Sequence, residues 1–208
     1  MTSLSDTDAE SLSRHKGGLH FENLPELTDV AAESLSKSEE DLGFGILEEL
    51  TDAAAEALSK HKGRLQFYSL SSLSDAAVES LSRHEGALSL SLSECSDTVF
   101  DYLSRYQGCL MLRGIKSLSD AAAESLLRHK GVLYLQMDEL SDTAAKALSK
   151  HEGELGLDVY EVSDAGMEWM SKHEGKISVY DPSDFQDLDD WRATCVEAAE
   201  LVESMREE

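Results

Sequence analysis

Basic residues are scarce in this chain. Eighteen Lys and Arg stand against 42 Asp and Glu in 208 residues, a formal charge of -24. Phosphate contacts need clustered cations, and a surface this acidic repels a polyanion, so a nucleic-acid partner is not expected. A partner should be neutral or basic. Long apolar runs are missing too: nothing approaches the roughly 18 residues that cross a bilayer, which argues against a membrane protein. Met1 is followed by the polar Thr2, Ser3, Ser5 and Asp6 in place of a secretory signal, so the expected location is cytoplasmic. The three cysteines, Cys95, Cys109 and Cys195, are too few and too scattered for a disulfide scaffold or a zinc site, and are expected as reduced thiols. No glycine-rich phosphate loop, nucleophile elbow or paired-cysteine motif occurs, so the chain is not expected to be an enzyme or to carry a cofactor.

What the chain has in abundance is itself. Leu-Ser-Asp or a near copy recurs every 22 or 23 residues at Leu4, Leu27, Leu50, Leu73, Cys95, Leu118, Leu140 and Val162. The second position is always Ser or Thr and the third always Asp, as in Ser5-Asp6 and Thr51-Asp52. A hydroxyl followed by a carboxylate ahead of an Ala-rich run marks a helix start: the hydroxyl accepts from orphan N–H groups and the carboxylate suits the positive end of the dipole. Leu12, Leu35, Leu58, Leu81, Leu103, Leu126, Leu148 and Met170 close one helical face. A glycine follows in seven of eight copies (Gly17, Gly63, Gly86, Gly108, Gly131, Gly153, Gly175), with Glu40 as the exception, and is expected as a left-handed C-cap. Two residues later an alternating apolar pair such as Leu19 and Phe21, or Leu133 and Leu135, predicts a short strand with one buried face. A helix plus a strand in about 22 residues cannot bury its apolar face alone, so the copies must stack. Helical crossovers make the strands parallel and favour the right-handed connection. The expected fold is an α/β solenoid, with the sheet on its concave side and the helices outside.

The strand core Leu133-Tyr134-Leu135-Gln136-Met137 resembles the leucine-rich repeat family. The wording Leu118 to Leu126 followed by His129 to Gly131 is similar to that of the planctomycete-type repeat proteins. The likeness covers residues 4–182. The Asn that such repeats usually carry after the strand is matched only by Asn23. The resemblance implies protein binding through the concave sheet and brings no catalytic residues with it.

From Ser183 onward the repeat stops, and Phe185, Leu188, Trp191, Cys195, Ala198, Val202 and Met205 recur at three- and four-residue spacing. Residues 183–208 are therefore expected to form an amphipathic helix capping the last coil, with 2 basic minus 9 acidic residues giving -7. No cap precedes Leu4, so the strand near Leu19 to Phe21 is expected to leave an open sheet edge, which points to a homo-oligomer contact or to truncation from a larger protein.

Six of seven histidines share one column: His15, His61, His84, His129, His151 and His173, with Ser38 and Tyr106 in the other two copies. Neighbouring coils sit roughly 4.8 Å apart, which files imidazoles in a row and not in a metal-binding tetrahedron. A structural role is expected and no metal. Ser, His and Asp are so common that a catalytic triad could be drawn many times over, which makes the composition uninformative. The strand positions facing away from the helices are free of repeat constraints. There Met111, Arg113, Tyr134 and Gln136 cluster on the fifth and sixth strands, with Arg64, Gln66 and Tyr68 two strands away. Aromatic, Met and Arg side chains anchor interfaces, so these seven are the candidate binding residues for a protein or peptide.

Overall fold

A computed structural model of the chain describes residues 3–92, 95–173 and, for the backbone alone, 177–179. The segment 183–208, expected as a capping helix, lies outside the described residues. The described chain alternates eight helices with eight strands: α1 (Asp6–Leu12), β1 (Leu19–Phe21), α2 (Asp29–Leu35), β2 (Leu42–Phe44), α3 (Asp52–Leu58), β3 (Leu65–Leu70), α4 (Asp75–Leu81), β4 (Leu88–Leu92), α5 (Asp97–Leu103), β5 (Leu110–Ser117), α6 (Asp120–Leu126), β6 (Leu133–Leu140), α7 (Asp142–Leu148), β7 (Leu155–Val162), α8 (Asp164–Met170) and β8 (Ile177–Val179). The strands form one parallel sheet in sequence order, and each helix packs on the next. This is the expected α/β solenoid.

Every helix starts where the Leu-Ser-Asp signature puts it. Ser5, Thr28, Thr51, Ser74, Ser119, Ser141 and Ser163 each accept a hydrogen bond from the N–H three residues on, while Ser96 does not. The column aspartates have a second task that the sequence did not reveal. Thr28 donates to Asp6 at 2.8 Å, Thr51 to Asp29 at 2.5 Å and Ser119 to Asp97 at 2.5 Å, and Ser74 donates in the same way to Asp52. Each of these four hydroxyls is thus acceptor within its own helix and donor to the coil before it. Ser74→Ala removes both bonds and should cost about 1 to 2 kcal/mol in urea unfolding, more than a cap alone.

Between the layers the inward strand residues stack in register. Leu65, Leu88, Leu110, Leu133 and Leu155 form one buried file, and the rings of Phe21, Phe44 and Phe67 stack at 5.5 and 5.2 Å in the next. Helix alanines such as Ala54, Ala55, Ala122 and Ala123 close the core from the other side. Copies of 22 and 23 residues fit one sheet because the extra residue is taken up as an irregularity. Between β5 and β6 the register shifts between Leu112 and Ile115, around Gly114 at φ +72°.

The glycine column needs a correction. Each helix ends at its column Leu or Met, before the glycine, and the chain then turns through bonds of the His61 N–H to Leu58 O type. Only Gly17 of the described column has positive φ, at +113°. The others are glycine because the preceding coil lies against them. A Cβ at Gly108 would sit 2.7 Å from the Gly86 carbonyl oxygen and one at Gly63 would sit 2.6 Å from that of Glu40, while Gly86, Gly131 and Gly153 are closer still to Gly63, Gly108 and Gly131. The column is a stacking contact between coils, not a set of left-handed caps.

Candidate functional site

The sheet face turned away from the helices carries the candidate residues. Strand pairing sets His20, Gly43, Gln66, Ser89, Met111, Tyr134, Gly156 and Ser178 side by side in one file across all eight strands. Large side chains lie over small neighbours. The His20 ring occupies the space a Cβ on Gly43 would need, 2.5 Å from Nδ1, and the Tyr134 ring does the same over Gly156 at 2.6 Å. Met111 and Tyr134 pair directly and form a separate apolar cluster with Ala87 and Cys109, apart from the main core.

Charged and polar groups join them. Arg113 is in register with Ser91, and Gln136 with Asp158. Burial raises the Tyr68 hydroxyl pKa, while the charges of Arg113 and Arg64 pull it back down, so these three side chains share one neighbourhood. Arg64 also faces Asp41, Nε to Oδ2 at 3.9 Å, and its backbone N–H donates to Asp41 Oδ1 at 3.1 Å. Gln136 donates from Nε2 to Asp158 Oδ2 at 2.8 Å. Asp158 is 1% exposed and its Oδ1 has no hydrogen-bond partner among the described residues. A carboxylate oxygen in that state is costly and calls for a donor. Sequence reasoning gave Asp158 no role, since a single Asp in an acidic chain carries no signal.

The seven candidate residues are less exposed than expected. Met111 is 1% exposed, Gln66 2%, Tyr134 4% and Arg64 9%, while Tyr68, Arg113 and Gln136 are half-buried. Alternation fixes which way a side chain points and says nothing about what lies over it. The thiol expectation also needs correction: Cys109 is disulfide-bonded, whereas Cys95 is free and its thiol is pushed up to about 11 by burial.

The histidine column lies elsewhere, between the helix ends and the strand starts. His61, His84, His129 and His151 are buried, with rings stacked at 6.2 Å (His61 on His84) and 6.0 Å (His129 on His151). Tyr106 takes the place of one imidazole and donates its hydroxyl to the Gly86 carbonyl of the preceding coil. The imidazoles sit against equivalent backbone: Glu40 for His61, Gly63 for His84, Gly108 for His129. No ring nitrogen of these three reaches full hydrogen-bond geometry. Among the described residues no group of three or more His, Cys, Asp or Glu converges as a metal site would require, and no helix is long and apolar enough to cross a membrane. No protein-family model matches the chain, and no curated protein matches it either.

Proposed function

We propose that the chain is a non-enzymatic interaction module that binds a protein or peptide on the concave face of its sheet, opposite the described helices. The observation that carries this is the buried Asp158 carboxylate with an unpartnered Oδ1 on the same face as the Arg64, Tyr68 and Arg113 group. One part of the face offers positive charge and the other a carboxylate in want of a donor, with the apolar Met111 and Tyr134 between. A peptide carrying an acidic side chain, an apolar anchor and then a Lys or Arg would match all three. The parallel sheet holds these groups still, so little ordering entropy is lost on binding. The resemblance of the repeats to the leucine-rich repeat family agrees with this use of the face.

The test is peptide display on immobilised full-length chain, followed by affinity measurement on variants. Selected peptides should bind Tyr68→Ala/Arg113→Ala at least about tenfold more weakly, the loss of about 1.4 kcal/mol or more expected when anchors are removed. Val30→Ala, on the exposed helix side, should leave affinity unchanged. Equal affinities for wild type and the double variant would overturn the reading. A second reading, self-association, is favoured by the position of β1 as the terminal strand of the sheet order. It predicts a sedimentation mass that rises with concentration and returns to monomer on His20→Pro, which removes an edge N–H.

A further inference from the structure

We propose that the imidazole column is an acid-operated latch: at mildly acidic pH its rings leave their slots and the turns after α3, α4, α6 and α7 open, while the sheet behind them stays paired. The geometry of the column carries this. His61, His84, His129 and His151 are at most 3% exposed; both ring nitrogens of the first three, and Nε2 of His151, lack a hydrogen-bond partner among the described residues. A neutral imidazole always carries one N–H, so each of the first three rings holds a dry, unused donor, a costly state in a folded interior. The same slot can be filled without that cost. In the fifth copy Tyr106 packs there, stacks on His129 at 6.3 Å and donates its hydroxyl to the Gly86 carbonyl. What an imidazole has and the phenol lacks is a proton taken up just below neutral pH.

The surroundings oppose that proton for as long as the rings stay in place. The glycine two residues on lies against the ring: a Cβ on Gly86 would sit 2.6 Å from His84 Nε2, and one on Gly63 would sit 2.8 Å from His61 Nε2. Burial of this kind excludes the water a charged ring needs. His84 meets the ring of His61 at 6.2 Å, His129 that of His151 at 6.0 Å and His151 that of His173 at 6.4 Å, so a charge on one ring disfavours a charge on the next. Lys130, held by Glu152, also opposes a charge on His151, whereas Asp41 favours one on His61. The charged residues flanking the rings in sequence, such as Lys62, Arg83, Glu85 and Arg128, are exposed.

Opening follows from the backbone bond each of these residues makes. The N–H of His61, His84, His129 and His151 closes the turn on the carbonyl of Leu58, Leu81, Leu126 and Leu148 at 2.9 to 3.1 Å, and a ring that swings out to water carries this bond with it. Ser38 and Tyr106 close the second and fifth turns in the same way, on Leu35 and Leu103 at 2.9 and 3.1 Å, with no ring that titrates in this range. They are controls built into the same molecule. Burial holds His84 and His129 at about 4, against 6.5 in an opened turn, so going from pH 7 to pH 5 favours the opened form of each by about twentyfold. The latch does not depend on what the concave face binds.

The test is hydrogen exchange of the full chain, read residue by residue by NMR as protection factors at pH 7 and pH 5, which removes the intrinsic pH dependence of exchange. The N–H groups of His84 and His129 should lose protection about twentyfold, and those of Ser38 and Tyr106 should stay within about threefold. The strand N–H groups of Leu88 and Leu110 should remain the slower to exchange at both pH values. In His129→Tyr the sixth turn should keep its protection at pH 5 while the fourth still loses it. Unchanged protection at His84 and His129 would overturn the latch. Equal loss at Ser38 and Tyr106, or strand N–H groups exchanging as fast as the turns, would overturn it too, because the chain would then be loosening as a whole.

Discussion

Gly131→Ala lowers the unfolding free energy by about 3 kcal/mol, within the range set by overpacking of a rigid interior. The added methyl is directed at the Gly108 carbonyl of the preceding coil, with His129 Cε1 at 3.1 Å on its other side. Neither neighbour can retreat cheaply. The carbonyl belongs to backbone locked by the stack, and the imidazole is itself wedged between Tyr106 and His151 at 6.3 and 6.0 Å. Relief would require coils five and six to part, which would strain the β5 to β6 hydrogen bonds and the packing of α5 on α6 at once. Gly18→Ala is the matched control. Its methyl would meet Asp41 and His20 at 3.6 Å, ordinary contact, in an exposed position without positive φ. Urea unfolding of the two variants beside wild type decides the matter: a Gly131→Ala loss below about 1 kcal/mol would mean the coils separate easily, and the close-approach account would fail.

The same glycine shows where the sequence stops being informative. A glycine after a helix reads as a C-cap because the usual reason for glycine is local, its own φ. Here the reason lies in another coil some 22 residues away, and periodicity records that a glycine is needed without recording by what. Helix starts were legible to the residue because the Ser or Thr cap and the Asp act within their own turn. The second role of the Asp, accepting from the next coil's hydroxyl, was hidden for the same reason as the glycine contact. The strand files were legible since a period of two assigns faces, and Gln66, Met111 and Tyr134 do sit in one file. Their burial was not, because cover is a tertiary fact. Asp158 stands at the far end of that scale: only its burial and a missing hydrogen bond distinguish it from the other acids of the described residues.

The histidine column makes stability depend on pH, in a direction fixed by its burial. Burial first, and the neighbouring imidazole second, push His84 and His129 from 6.5 down to about 4, and burial lowers His61 and His151 as well. A folded-state pKa below the unfolded one means the unfolded chain binds more protons between the two values. Stability is therefore full above pH 6.5 and is lost as pH falls toward 4. Between pH 7 and pH 5 each of His84 and His129 should cost about 2 kcal/mol, close to 4 together, with further loss from His61 and His151. Acid also neutralises part of the -24 charge and eases self-repulsion, which works the other way. The two effects separate in one variant. His129→Tyr repeats what the fifth copy already does with Tyr106, a ring that fills the site, donates to the preceding coil's carbonyl and stays neutral throughout this range. Charge relief is common to both proteins, so the difference between their pH profiles isolates the imidazole. Urea unfolding at pH 7, 6 and 5 should show the variant losing about 2 kcal/mol less than wild type over that span. Parallel profiles would mean that His129 is solvated enough to take its proton in the folded state, and that the column is not the source of acid sensitivity.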